Sequence, residues 1–163
     1  MPKPAETQIL DEVGIRLANI TEVDGYFTTA ARIDRARMQP YNGGDLPALN
    51  YWAGVTELAE SGAGWRRRMV TVMVEYQSKT WDRPFADVAH ELAADIDIAL
   101  RRAPAAPAVA DTEDTRLGGL VDGMEWQSKT PAIGEGQAPV VGVLMEYVIT
   151  YSHPIGDPTT INQ

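Results

Sequence analysis

The stretch Pro139 to Tyr151, PVVGVLMEYVITY, constrains the fold more than any other part of the chain. It puts Val141, Val143, Met145, Tyr147, Ile149 and Tyr151 on one side of an extended backbone, and a period-two pattern of this kind does not fit a helix. The opposite side carries Val140, Leu144 and Val148, so both faces are expected to be at least partly covered. A strand that is apolar on both sides is usually central in its sheet or lies in a subunit interface.

The remaining pattern supplies partners for this strand. Ile9, Leu10, Val13, Leu17 and Ile20 recur at helical spacing within Glu6 to Ile20, although Gly14 weakens that helix by about 1 kcal/mol relative to alanine. Val23 to Met38 reads as a first strand, with Phe27, Ala31 and Ile33 on one side. The turn-rich QPYNGGD (Gln39 to Asp45) precedes a second strand at Pro47 to Leu58, and a turn at Ser61 to Gly64 leads into a long third strand, Trp65 to Ser78. Asp82-Arg83-Pro84 starts a helix, with Asp82 as the expected cap. Phe85, Val88, Ala89, Leu92, Ile96, Ala99 and Leu100 form its stripe, and Arg101 and Arg102 suit its C-terminal dipole. Residues 103–119 (APAAPAVADTEDTRLGG) read as an exposed mobile Pro/Ala and acidic loop. A fourth strand is expected at Leu120 to Lys129 and a turn at Thr130 to Ala138. Residues 152–163 read as a flexible C-terminal tail, ordered only by a partner.

The expected fold is therefore a single α+β domain spanning residues 1–151, in the order α-β-β-β-α-β-β. Its sheet is mostly antiparallel, of about five strands, with both helices packed on one face. The near-identical segments EYQSKT (Glu75 to Thr80) and EWQSKT (Glu125 to Thr130) have different flanks, so they read as a coincidence of strand-end composition. The minority reading is a pair of equivalent strand ends that cross-pair or face one partner.

Composition narrows the function. The chain of 163 residues suits one domain with a real core. It has no cysteine, which excludes disulfides and thiolate metal sites and is compatible with assembly in a reducing cytoplasm. No run of eighteen apolar residues could span a membrane, and MPKPAETQ lacks the form of a signal peptide. A net charge of −9 makes the surface as a whole a poor match for nucleic acid.

No phosphate loop, dinucleotide glycine pattern or metal-ligand spacing is present. His90 lies near Asp87, Glu91 and Asp95 on one helix, and a solvated helix face accounts for it better than a metal site does. His153 sits in the tail with Asp157 as its nearest acid. No serine stands in a nucleophile elbow. No catalytic residue, cofactor or metal is expected. Arg66, Arg67 and Arg68 open the third strand, where Arg66 and Arg68 share one face and Arg67 takes the other. Were this strand to pair with the first, Arg32, Arg35 and Arg37 would join them in a basic strip. Trp52, Trp65, Trp81 and Trp126 flank strands or turns, where one or two could anchor an interface.

The chain resembles the tail terminator family, the minor tail protein U type of long-tailed bacteriophages. The resemblance rests on a short helix followed by a strand, on Leu46-Pro47-Ala48 opening the next strand, and on Trp65 opening a long strand that ends in Val74-Glu75-Tyr76. A helix, a variable segment and the closing strand Tyr147-Val148-Ile149-Thr150-Tyr151 follow in the same order. The long Pro/Ala linker and the extended tail depart from the family pattern.

The resemblance implies a non-enzymatic virion protein of the phage tail and neck, assembled in the host cytoplasm. Six copies would form a homohexameric ring that caps the tail tube, halts its polymerisation and offers the surface for head attachment. The implied partners are further copies of the chain, the major tail tube protein and a head-completion or stopper protein, with DNA only passing through the lumen. Arg66, Arg67, Arg68, Trp65, Tyr147 and Tyr151 are the candidate subunit or tube contacts. The alternatives are another neck or tail-completion protein, a small enzyme with an inter-subunit site using His90, and a monomeric adaptor that binds a peptide strand along a sheet edge.

Overall fold

The computed structural model describes residues 2–80, 82–102, 113–134 and 139–161. These form helix α1 (Ala5–Leu17), a 3₁₀ turn (Glu22–Asp24), strands β1 (Arg32–Arg35), β2 (Ala48–Gly62) and β3 (Trp65–Lys79), helix α2 (Phe85–Arg101), and strands β4 (Gly123–Gly134) and β5 (Val140–Pro154). The fold is a single α+β domain in the expected order, with one mixed, mostly antiparallel sheet of order β1-β2-β3-β5-β4.

The alternation in β5 decides the layering. Val141, Val143, Met145, Tyr147, Ile149 and Tyr151 are buried, as are Val70, Val72, Val74 and Tyr76 beside them in β3. The same core takes in Ile9, Val13 and Leu17 of α1 and Leu92, Ile96 and Leu100 of α2, so both helices cover one face. On the other face Trp52, Met69, Met73, Leu144 and Val148 are half-buried, shielded by their cross-strand neighbours. β5 is thus internal to the sheet, flanked on both sides by long antiparallel partners.

Several boundaries differ from expectation, each for a local reason. Val23 to Met38 is not one strand. The N–H groups of Phe27 and Thr28 donate to the Asp95 carboxylate at 2.8 and 2.9 Å, which removes them from any ladder. Ala36, with φ of 54°, ends β1 after four residues. β1 pairs in parallel with β2 and not with β3. Asp82 does not cap α2. Pro84 occupies the cap, and its carbonyl accepts from the N–H groups of Asp87 and Val88.

The expected turn at Thr130 to Ala138 begins too early, since β4 runs on to Gly134. β5 extends past Tyr151 to Pro154, and the segment beyond it lies on α1. Ala5 N–H donates to Pro158 O at 2.8 Å and Gln8 Nε2 to Thr159 O at 2.6 Å. Of the expected loop, 103–112 lies outside the described residues, while Glu113 pairs with Arg102 and Asp114 binds Arg16. The two similar hexapeptides flank β5 on opposite sides and do not pair with each other. Tyr76 stands opposite Val143, and Trp126 opposite Tyr147.

Candidate functional site

β2 and β3 form a hairpin closed by Ala63 and Gly64, between the paired residues Gly62 and Trp65. Gly64 has φ of +85°, a conformation that suits glycine at a tight turn. A Cβ on Gly62 would meet the Trp65 indole at 2.5 Å, so the ring packs directly over that glycine. Beyond Ala53 most of β2 is exposed, including Val55 and Leu58, while β3 stays paired with β5 as far as Trp65 opposite Pro154, so this outer arm of the sheet is three-stranded.

The three arginines on this arm have different roles. Arg67 is tied within the chain: Nη1 donates to Glu60 Oε2 at 3.2 Å, Nε lies 3.4 Å from Asp122 Oδ2, and the guanidinium sits 5.7 Å from the Trp65 ring. Its buried Nε has no hydrogen-bond partner among the described residues. Arg66 and Arg68 take the opposite face, as their spacing predicts, and neither forms an ion pair with a carboxylate of the described residues. They line a cleft of about 270 Å³ with Thr56, Glu57 and Leu58. No basic strip joins them to the first strand. Arg32 pairs with Asp34 and Asp45, Arg35 with Asp11, and Arg37 with Asp34.

Tyr147 and Tyr151 belong to the interior of the chain itself. They are 0% and 2% exposed, Tyr147 beneath α2 and Tyr151 against α1. The Tyr147 hydroxyl donates to Asp97 Oδ1 at 3.1 Å. Burial first, then the Asp97 carboxylate, pushes its phenol well above the usual range. Tyr151 donates to Glu6 Oε1 at 3.0 Å and is pushed up to about 12, again by burial first and Glu6 second.

His90 is exposed on α2. Asp95, expected beside it on the polar side, instead points into the protein at 0% exposure and holds Phe27 and Thr28. Burial raises its carboxyl pKa despite those donors. Its position three after Leu92 and four before Ala99 was the available signal. Arg16 was missed altogether. Three residues after Val13, it is 1% exposed and donates to the α2 C-terminal carbonyl of Leu100 and to Asp114.

His153 is not in a free tail. It is 4% exposed in β5, stacked near Tyr151, with Nδ1 2.8 Å from Pro154 O. It lines a cleft of about 260 Å³ together with Arg68, Tyr151, Pro158 and the first turn of α1. Among the described residues no group of three or more His, Asp or Glu side chains could hold a metal ion. No helix there is long and apolar enough to cross a membrane.

No known family model matches the chain, and no curated protein matches it.

Proposed function

We propose that the chain is a structural assembly subunit of a tail-terminator type. Copies join head to tail into a six-membered ring that caps a phage tail tube and presents a surface for head attachment. The observation that carries this reading is the hairpin arm with Arg66 and Arg68, which pair with no described carboxylate although the chain has a surplus of nine negative charges. A basic arm on an acidic body makes a contact between two different surfaces. Such heterologous contacts build a ring when the rotation closes.

The sheet ends also differ from each other. β1 covers only the start of β2 at one end, and β4 forms the other. Both edges carry register irregularities, and β4 contains Pro131, features that blunt strand addition. This weighs against the peptide-strand adaptor and favours contacts made through side chains.

The test is electron microscopy of the purified protein, alone and with tail tubes, together with a gene deletion. Six-fold rings and overlong or headless tails are the expected results. A closed two-fold dimer in both preparations, or normal tails joined to heads after deletion, would overturn the reading.

A further inference from the structure

The cleft between the first turn of α1 and strands β3 and β5 contains backbone donors with no acceptor among the described residues. Pro4, Ala5, Glu6 and Thr7 line one wall, and Arg68, Tyr151 and His153 line the other. The first N–H groups of a helix have no partner within it. Here Ala5 N–H is taken by Pro158 O and Gln8 N–H by Pro4 O, while those of Glu6 and Thr7 have no acceptor among the described residues.

The second observation is independent of the helix. His153 is 4% exposed, and its Nδ1 is engaged by Pro154 O. Nε2 has no hydrogen-bond partner among the described residues, and the ring forms part of the cleft wall. Arg68, alongside, has no ion pair with any described carboxylate, and its guanidinium faces the Tyr151 hydroxyl, whose pKa it lowers against the larger effects of burial and Glu6.

The charge balance selects the ligand. Arg68 contributes one positive charge and the helix terminus about half of one. Glu6 contributes one negative charge, already engaged by the hydroxyls of Tyr151 and Thr56 at 3.0 Å each. That balance suits a singly charged oxyanion better than a phosphate dianion. With about 260 Å³ against about 30 Å³ for one water, the cleft has room for a side-chain carboxylate.

We propose that this cleft is a carboxylate-binding site in which the Arg68 fork and the N–H groups of Glu6 and Thr7 hold an acidic side chain from a neighbouring copy of the chain. The His153 ring forms the wall beside them. That a second copy supplies the carboxylate rests on the ring reading. The chemistry of the cleft does not.

The experiment has two arms. In the first, the monomer is titrated with sodium acetate against sodium chloride of equal ionic strength, followed by amide shifts of Glu6 and Thr7 and ring shifts of His153. Saturable shifts specific to acetate are expected. They should weaken about tenfold or more in Arg68→Gln, less in Arg68→Lys, and not at all in Arg83→Gln, whose arginine pairs with Glu91 elsewhere. Shifts equal to those with chloride, or unchanged in Arg68→Gln, would overturn the site.

In the second arm, ring yield is compared between wild type and Arg68→Gln, each shown to be folded by its thermal melt. Reduced yield supports the neighbouring copy as the source. Acetate binding with undiminished Arg68→Gln rings would overturn that source and leave the cleft chemistry standing. Acetate binding with no rings from any variant would overturn the source together with the ring reading.

Discussion

Arg16 donates from Nη2 to Oδ2 of Asp114 at 2.7 Å, joining residues 98 apart in the chain, and from Nη1 to Leu100 O at 2.8 Å. One fully buried guanidinium thereby caps the C-terminal end of α2 and pins the segment that leads to β4. Removing it leaves the Leu100 carbonyl without this donor and the Asp114 carboxylate without its charge partner, held only by the N–H groups of Arg116 and Gly118. Arg16→Ala is expected to cost about 3–5 kcal/mol, read as a lowered denaturant midpoint.

The same pair predicts an acid dependence. Burial alone would raise the Asp114 carboxyl pKa, but Arg16 and the N–H groups of Arg116 and Gly118 outweigh it and hold the group below the ordinary value. A depressed carboxylate stabilises the fold fully above its unfolded pKa, about 3.9, and that contribution is lost as pH falls through the folded value. Asp114→Asn should therefore be less stable than wild type at neutral pH, with the gap closing at strongly acidic pH. A gap that stays constant on acidification would rule this out.

Gly14→Ala tests packing against propensity. Alanine improves an exposed helix by about 1 kcal/mol. Here the new methyl would sit 2.2 Å from the hydroxyl and 2.9 Å from Cζ of Tyr51, a residue 8% exposed. Displacing that ring costs about 1–3 kcal/mol. The variant is expected to melt below wild type, and Gly14→Ala with Tyr51→Phe should recover part of the loss.

The buried tyrosines set an alkaline limit. Tyr76, pushed up to about 12 by burial, and Tyr151, likewise about 12, stay neutral in the fold, as does Tyr147. A raised folded pKa gives stability that is present below the unfolded value, about 10, and lost as pH rises through the folded one. Stability should thus decline above about pH 10. Phenolate absorbance should show these groups ionising together with the unfolding transition and not before it.

Charge reversal on the arm tests the assembly reading separately from the cleft. Arg66 is exposed and belongs to no described ion pair, so Arg66→Glu should leave the melting temperature unchanged. It should lower ring or tail-binding yield. An exposed pair is worth at most about 1 kcal/mol, but the ring repeats it at every seam. The deficit should shrink as salt rises, and equal yields at low salt would show the residue to be plain solvated surface.

Much of the layout was legible because it follows from local periodicity. The alternation from Val141 to Tyr151 and from Val70 to Tyr76, and the stripe from Val88 to Leu100, determine which face of each element is apolar. A chain that must bury those faces together has few ways to do so. The opposite facing of Arg67 from Arg66 and Arg68 followed from the pleat alone.

What the tertiary structure decided are relationships between segments far apart in the chain. Asp95 reads as a polar-face residue until the N–H groups of Phe27 and Thr28 arrive to fill it, and their arrival is also what denies that segment a strand. Arg16 looks like a surface cation until it meets α2's final carbonyls. Tyr147 and Tyr151, strong candidates for an interface by their chemistry, are covered by the chain's own helices. His153 became part of a cleft only because residues 155–161 fold back onto α1. Periodicity reports which face of an element is apolar. Whether a particular polar group on its border finds a partner depends on which distant backbone comes within hydrogen-bonding reach, and only the folded chain sets that distance.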